Sequence, residues 1–158
     1  MQRTLLIVGL LALAACGNVD APACPVIDSP DLAPSAGCLA VVHGRVLVVE
    51  NRLGKLSPPG GRANEGESAQ CAAHRETFEE TGLDLIPGPL AATFDTGFKL
   101  YYCGIHPDSG LIEPHMPTEV KQAYWLLVQD VDQASWRFPG QGEILRALLI
   151  KHKEESTP

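Results

Sequence analysis

Apolar and polar positions along this chain sort into short β-like runs on either side of one helical stretch. Leu39-Ala40-Val41-Val42 and the run 45–50, separated by His43-Gly44, predict a β-hairpin around a tight turn. Residues 51–67 carry loop signals, Pro58-Pro59-Gly60-Gly61 and Asn64-Glu65-Gly66. From Ser68 to Thr81 no Gly or Pro intervenes, alanine is frequent, and Gly82 follows where a C-terminal cap belongs, which predicts a helix of about four turns. Pro87-Gly88-Pro89 is expected to break the chain before two β-prone runs, 90–94 and 99–105. Residues 106–110 read as a turn, 111–122 as a polar loop marked by proline, and 123–128 as another strand. Ile144, Leu145, Leu148 and Leu149 are spaced for a closing amphipathic helix over 141–153. This order of elements, with no internal repeat, points to an α+β chain: helices packed on a sheet in a mixed α/β sandwich.

The first fifteen residues stand apart. Arg3 supplies a short positive region, and residues 4–15 are almost wholly apolar and end in small side chains, the pattern of a signal peptide and too short for a comfortable membrane span. Leu13-Ala14-Ala15-Cys16 resembles the bacterial lipobox, which implies cleavage before Cys16 and a lipid on that cysteine; a plain signal peptide or an uncleaved anchor is the competing reading. Gly17 follows, where aspartate resembles an inner-membrane retention signal, so in a cell with two membranes the expected address is the cell envelope, on the periplasmic side of the outer membrane. Residues 16–37, rich in Pro, Ala, Ser and Asp, read as a tether, residues 38–153 as one domain, and residues 154–158 as a tail.

At 158 residues, with 45% hydrophobic content, the chain can build one sizeable core, and its formal net charge of -7 argues against nucleic acid as a partner. Beyond Cys16 there remain Cys24, Cys38, Cys71 and Cys103. An oxidising compartment makes two disulfides plausible, and four cysteines allow three pairings. Zinc binding lacks a CxxC or Cys/His cluster, and free thiols stay open, above all for Cys71 inside the helix. His43, His74, His106, His115 and His152 show no metal spacing and are expected on the surface or in loops.

Candidate chemistry concentrates on the helix. Glu76, Glu79 and Glu80 stand at i, i+3 and i+4 and converge on one face, a costly arrangement unless a hard divalent cation with oxygen ligands neutralises it. Each glutamate alone would read as a solvated charge, and Glu79 with Arg75 as an ordinary helical ion pair. Taken together, Gly61, Glu67, Arg75-Glu76, Glu79-Glu80 and Gly82-Leu83 resemble the Nudix box, spaced so that seven fixed identities coincide by chance about once in 10⁸ starting positions. Thr77 stands where the family usually has an aliphatic residue, a departure that bears on packing.

The resemblance implies a Nudix-like α/β/α sandwich with a mixed β-sheet. It further implies hydrolysis of a small-molecule pyrophosphate, such as a nucleoside diphosphate linked to a further moiety, with Mg²⁺ or Mn²⁺ as cofactor. It assigns Glu79, Glu80, Glu76 and the carbonyl of Gly60 to the metal, gives Glu76 a second role as helper of the attacking water, and makes Glu67, Arg75, Gly61 and Gly82 supports of the site, with Arg75 beside the catalytic groups. Glu119, six residues before Trp125, resembles the family's variable general base, and Glu113 is its rival. Trp136, Arg137 and Phe138 suit either base stacking and phosphate clamping or simple packing. A non-catalytic Nudix-like binding or envelope-interaction protein is the competing class; it would be expected to lose the glutamates that this chain keeps.

Overall fold

A computed structural model describes residues 20–27 and 29–155. The apolar leader, Cys16 and residues 156–158 lie outside the described residues. The elements in order are β1 (Ser35–Val42), β2 (Arg45–Asn51), β3 (Leu56–Ser57), β4 (Gly60–Arg62), α1 (Ala69–Thr81), β5 (Leu85–Thr93), β6 (Lys99–Ile105), β7 (Val120–Leu127), a 3-10 turn at Val128–Asp130, and α2 (Gln141–Glu155).

The strands form one seven-stranded sheet of order β3-β2-β1-β6-β5, with β4 paired to β1 and β7 to β2. β1 and β6 run parallel, whereas the other pairs are antiparallel, so the sheet is mixed as expected. Alternation along the strands divides the core in two. Cys38, Ala40, Leu47, Tyr101 and Cys103 face α1, where Ala69, Ala72 and Ala73 are fully buried. Leu39, Val46, Val48, Leu100 and Tyr102 face the other way, against Leu145 and Leu149 of α2. The result is an α/β/α sandwich in which the alanines of α1 bring that helix close to the sheet.

The predicted hairpin is present, with both His43 (φ 46°) and Gly44 (φ 71°) in the left-handed region that a two-residue hairpin turn requires. Helix α1 is capped as its sequence indicates. The Ser68 hydroxyl accepts from the Cys71 N–H, and Gly82 adopts φ 75° while its N–H donates to the Phe78 carbonyl at 2.7 Å.

Several expectations need correction. Pro87-Gly88-Pro89 does not break the chain: β5 runs through it, with register shifts between Pro87 and Leu90 and again between Leu90 and Ala92. β5 pairs only with β6, and an edge strand with bulges tolerates residues that lack an N–H. The loop over 51–67 contains β3 and β4, and β1 begins at Ser35, four residues before the apolar run. The two disulfides expected among the four cysteines are present, paired Cys24–Cys71 and Cys38–Cys103, and the free-thiol alternative for Cys71 falls. The second of these ties β1 to β6 on the α1 face, where Cys38 and Cys103 lie two registered positions apart. His74 is no surface residue. It is 1% exposed, and its Nε2 lies 3.0 Å from Oδ1 of Asp84 just beyond the helix.

Thr77 is fully buried, and among the described residues its hydroxyl is the buried side-chain polar atom that lacks a hydrogen-bond partner. An unsatisfied buried hydroxyl costs about 1–3 kcal/mol relative to an apolar group of the same shape. Thr77→Val should therefore leave the fold intact and raise the thermal midpoint by roughly 3–5 °C for a stabilisation of about 1 kcal/mol. A lowered midpoint in calorimetry would show that the hydroxyl has a partner after all.

Candidate active site

The acidic face of α1 lies against β4, and two glycines make that approach possible. Gly60 sits at φ 152°, and a Cβ there would meet the Ala36 carbonyl oxygen and the Gly37 Cα at 2.5 Å. A Cβ on Gly61 would fall inside the Glu76 carboxyl group. With both side chains absent, the Gly60 N–H reaches Oε2 of Glu80 and donates to it at 2.8 Å.

Arg75 organises the rest. Its Nε and Nη2 donate to the two carboxylate oxygens of Glu67, each at 2.9 Å, in the bidentate geometry a guanidinium favours. Nη1 donates to Oε1 of Glu76 at 2.8 Å and to both oxygens of Glu79 at 3.3 Å, and Nη2 also reaches the Arg62 carbonyl at 2.8 Å. All five N–H donors are thus engaged. Glu67 in turn accepts from the Asn64 N–H at 2.8 Å, so one guanidinium fixes the 62–67 loop and two helix carboxylates together. The bond to Arg75 holds Glu67 below the usual carboxylate range, and the bond to Glu67 holds Arg75 above its ordinary value.

The carboxyls closer to the sheet respond differently. Glu80 is pushed up to about 8, first by burial and then by the charges of Glu76 and Glu119; the Gly60 N–H and the charge of Arg137 oppose the shift. Glu76 is also raised, chiefly by burial, with Glu79 and Glu119 adding and Arg75 opposing. Glu119 is thus the loop carboxylate whose charge acts on the helix cluster. The backbone of its rival Glu113 docks on the helix end, where its N–H donates to the Thr81 carbonyl at 2.8 Å and a Cβ on Gly82 would meet its carbonyl oxygen at 2.5 Å.

The stretch Trp136–Phe138 divides by role. Trp136 packs in the core on the α2 side, and its Nε1 donates to the Val131 carbonyl at 2.7 Å. Arg137 lies over the Phe138 ring at 5.4 Å, Phe138 is 57% exposed, and the Arg137 charge reaches Glu80. The sequence offered no signal for the Gly60 N–H to Glu80 bond or for the Asp84 partner of His74, because both depend on how separate segments meet.

Among the described residues no three His, Cys, Asp or Glu side chains are gathered into a ready metal site. The donor chemistry nevertheless fits a hard divalent cation. Oxygen donors dominate, and burial first, with like charge after it, raises Glu80 and Glu76, so a bound cation would favour the ionised form of both.

A family model for the NUDIX domain matches residues 31–148, and the chain belongs to that family. Solved structures of similar fold include an ADP-ribose pyrophosphatase from Streptococcus suis, 18% identical with a TM-score of 0.64, the match covering 78% of this chain and 92% of that one. A UDP-X diphosphatase is 18% identical with a TM-score of 0.62 over 81% of this chain and 68% of its own. A MutT NUDIX hydrolase from Burkholderia pseudomallei is 21% identical with a TM-score of 0.58 over 72% and 95%. At these identities the likeness is one of fold. None of the curated proteins matches the chain.

The raised carboxyls set a pH dependence for the metal-free protein. A glutamate of ordinary pKa 4.5 when unfolded and about 8 when folded binds more protons in the fold, so stability is fully present below pH 4.5 and falls as pH climbs toward 8. Glu76 acts in the same direction. The depressed Glu67 acts oppositely, but below pH 4.5, where the unfolded chain begins to take up its proton. In chelator, the thermal midpoint should drop between pH 5 and pH 8, and Glu80→Gln, which keeps an acceptor for the Gly60 N–H, should flatten much of that drop. Equal slopes in the two proteins would contradict the assignment to Glu80.

Proposed function

We propose that this chain cleaves the pyrophosphate linkage of a nucleoside diphosphate joined to a further moiety, using Mg²⁺ or Mn²⁺, and that it works in the cell envelope, held to the membrane by a lipid on Cys16. The observation that carries the catalytic part is the half-buried Glu80, raised to about 8 beside Glu76 and within reach of the Glu119 charge on one face of a Nudix box helix. The similar structures whose names specify ADP-ribose and UDP-X as substrates support a nucleoside diphosphate derivative.

Glu80, Glu79, Glu76 and the Gly60 carbonyl are the groups that would hold the cation, which when bound offsets the charge of the diphosphate and polarises its phosphoryl oxygens. Glu119 takes the proton of the attacking water as its oxygen adds to one phosphorus. The bridging P–O bond then breaks, leaving a nucleoside monophosphate and a phosphorylated second product. Arg75 positions rather than reacts, since its donors hold Glu67, Glu76, Glu79 and the Arg62 carbonyl in one frame. The buried, glycine-lined approach of β4 to α1 keeps these carboxylates in fixed relation to one another.

On a panel of nucleoside diphosphate derivatives, Glu79→Gln and Glu80→Gln should each lower magnesium-dependent hydrolysis by about 100-fold or more, the scale of losing a principal electrostatic contact. Glu119→Gln should reduce kcat about 10²- to 10⁴-fold and remove the acidic limb of the pH profile. Undiminished turnover in the two helix variants would overturn the ligand assignment. For the anchor, Cys16→Ser should move the full chain out of the detergent-soluble membrane fraction; unchanged partitioning would remove the lipid from the reading.

A further inference from the structure

The N-terminal arm is fastened to the catalytic helix at two places. Cys24 is bonded to Cys71, in the first turn of α1 and four residues before Arg75. Farther along, the Asp31 carboxylate engages the Lys99 ammonium and accepts from the Tyr101 hydroxyl at 2.7 Å, while the Asp31 carbonyl accepts from the Ala69 N–H at 2.7 Å. Ahead of the disulfide, Asp20, Ala21 and Pro22 form one wall of a cavity of about 570 Å³. Arg75 and Glu79 line its helix side, and His115 and Met116 line it from the loop that docks on the end of α1. This volume is in the range of small-molecule sites. Glu79 belongs both to the acidic face and to the cavity, so the cavity adjoins the face on which the diphosphate would sit.

The walls select for chemistry. Arg75 has all its donors engaged and both Glu79 oxygens accept from it, whereas the arm brings the Asp20 carboxylate and the facing loop the His115 imidazole. A further phosphate would meet negative charge without an available guanidinium donor, but hydroxyl groups can donate to carboxylates, and Ala21, Pro22 and Met116 offer apolar surface to C–H faces. We infer that the disulfide-pinned arm completes a subsite for the non-nucleotide moiety of the substrate, and that this moiety is a neutral, hydroxyl-bearing group of sugar type. The inference rests on the pyrophosphohydrolase reading of the adjoining site. On it, the Cys24–Cys71 bond is a specificity element, holding the wall against which the sugar packs.

Calorimetric binding to the full chain, in magnesium and in the cold, tests this with two pairs of probes: ADP-glucose against ADP, and UDP-glucose against UDP. At least one nucleotide sugar should bind about tenfold more tightly than its parent diphosphate, a difference of about 1.4 kcal/mol. The double variant Cys24→Ser/Cys71→Ser should lose that advantage and leave diphosphate binding within about twofold of wild type. Ala21→Trp, which fills the cavity from the arm without touching the core, should do the same and serves where the double variant folds poorly. Equal affinity for sugar and parent in both pairs, or an advantage that survives Ala21→Trp, would overturn the inference. Hydrolysis of the same probes by the wild-type chain is scored separately. Turnover without sugar selectivity sinks the subsite and leaves the activity; sugar selectivity without turnover does the reverse.

Discussion

The engagement of Arg75 with Glu67, Glu76 and Glu79 is the interaction on which the rest of the site depends. Helix α1 is electrostatically unfavourable in two ways. Three glutamates share one face, and two of them fall toward the C-terminal end, where the helix dipole is negative and no basic residue stands in the last turn. The guanidinium offsets part of this from within the helix, and the Gly60 N–H offsets part from β4. The loop after β6 contributes at the helix end, where the N–H groups of Glu113 and His115 donate to the carbonyls of Thr81 and Glu79, each at 2.8 Å. Arg75, the Gly60 N–H and the loop after β6 therefore each supply donors to an excess of acceptors. A helix that needs so many outside donors is poised to accept a cation.

The sandwich makes that concentration of charge tolerable by stabilising α1 from its opposite face. Ala69, Ala72 and Ala73 are fully buried against the β1 and β6 positions that also carry the Cys38–Cys103 bond. Small side chains bring the helix close enough for Gly61 to lie against the Glu76 carboxyl, an approach that no larger residue at position 61 would permit. Thr77 belongs to this buried face too, and its hydroxyl without a partner is a local cost carried by the same packing.

Much of this was legible in the sequence where local rules suffice. The hairpin turn, the Ser68 and Gly82 caps, the amphipathic α2 and the Nudix box each rest on residues close together in the chain. What the sequence left open depends on partners far away. β3 and β4 have two and three residues, too few to show a period, and they become strands because β2 and β1 provide the ladder. Pro87-Gly88-Pro89 looked like a break because its tolerance depends on an edge position known only from sheet order. The disulfide pairing follows from the parallel register of β1 and β6, and the burial of His74 follows from its meeting with Asp84 across the helix end.

The same nonlocality explains how the helix cluster acquires charges of both signs from the far side of the sheet. Glu119 directly precedes β7, whose pairing with β2 shifts register between Glu50 and Asn51, the step that matches Asn51 to Val120. Arg137 is held through backbone bonds to β3, its N–H donating to the Leu56 carbonyl at 2.8 Å while the Leu56 N–H donates to Ser135 at 2.8 Å. Both tie to the β2–β3 edge, and their charges act on Glu80 in opposite directions. A shift of that edge toward or away from α1 would change the two effects together, and because they oppose one another they would partly cancel at Glu80. Helix α1 carries the acidic groups, and burial, ahead of the charges of the segments around it, raises Glu76 and Glu80.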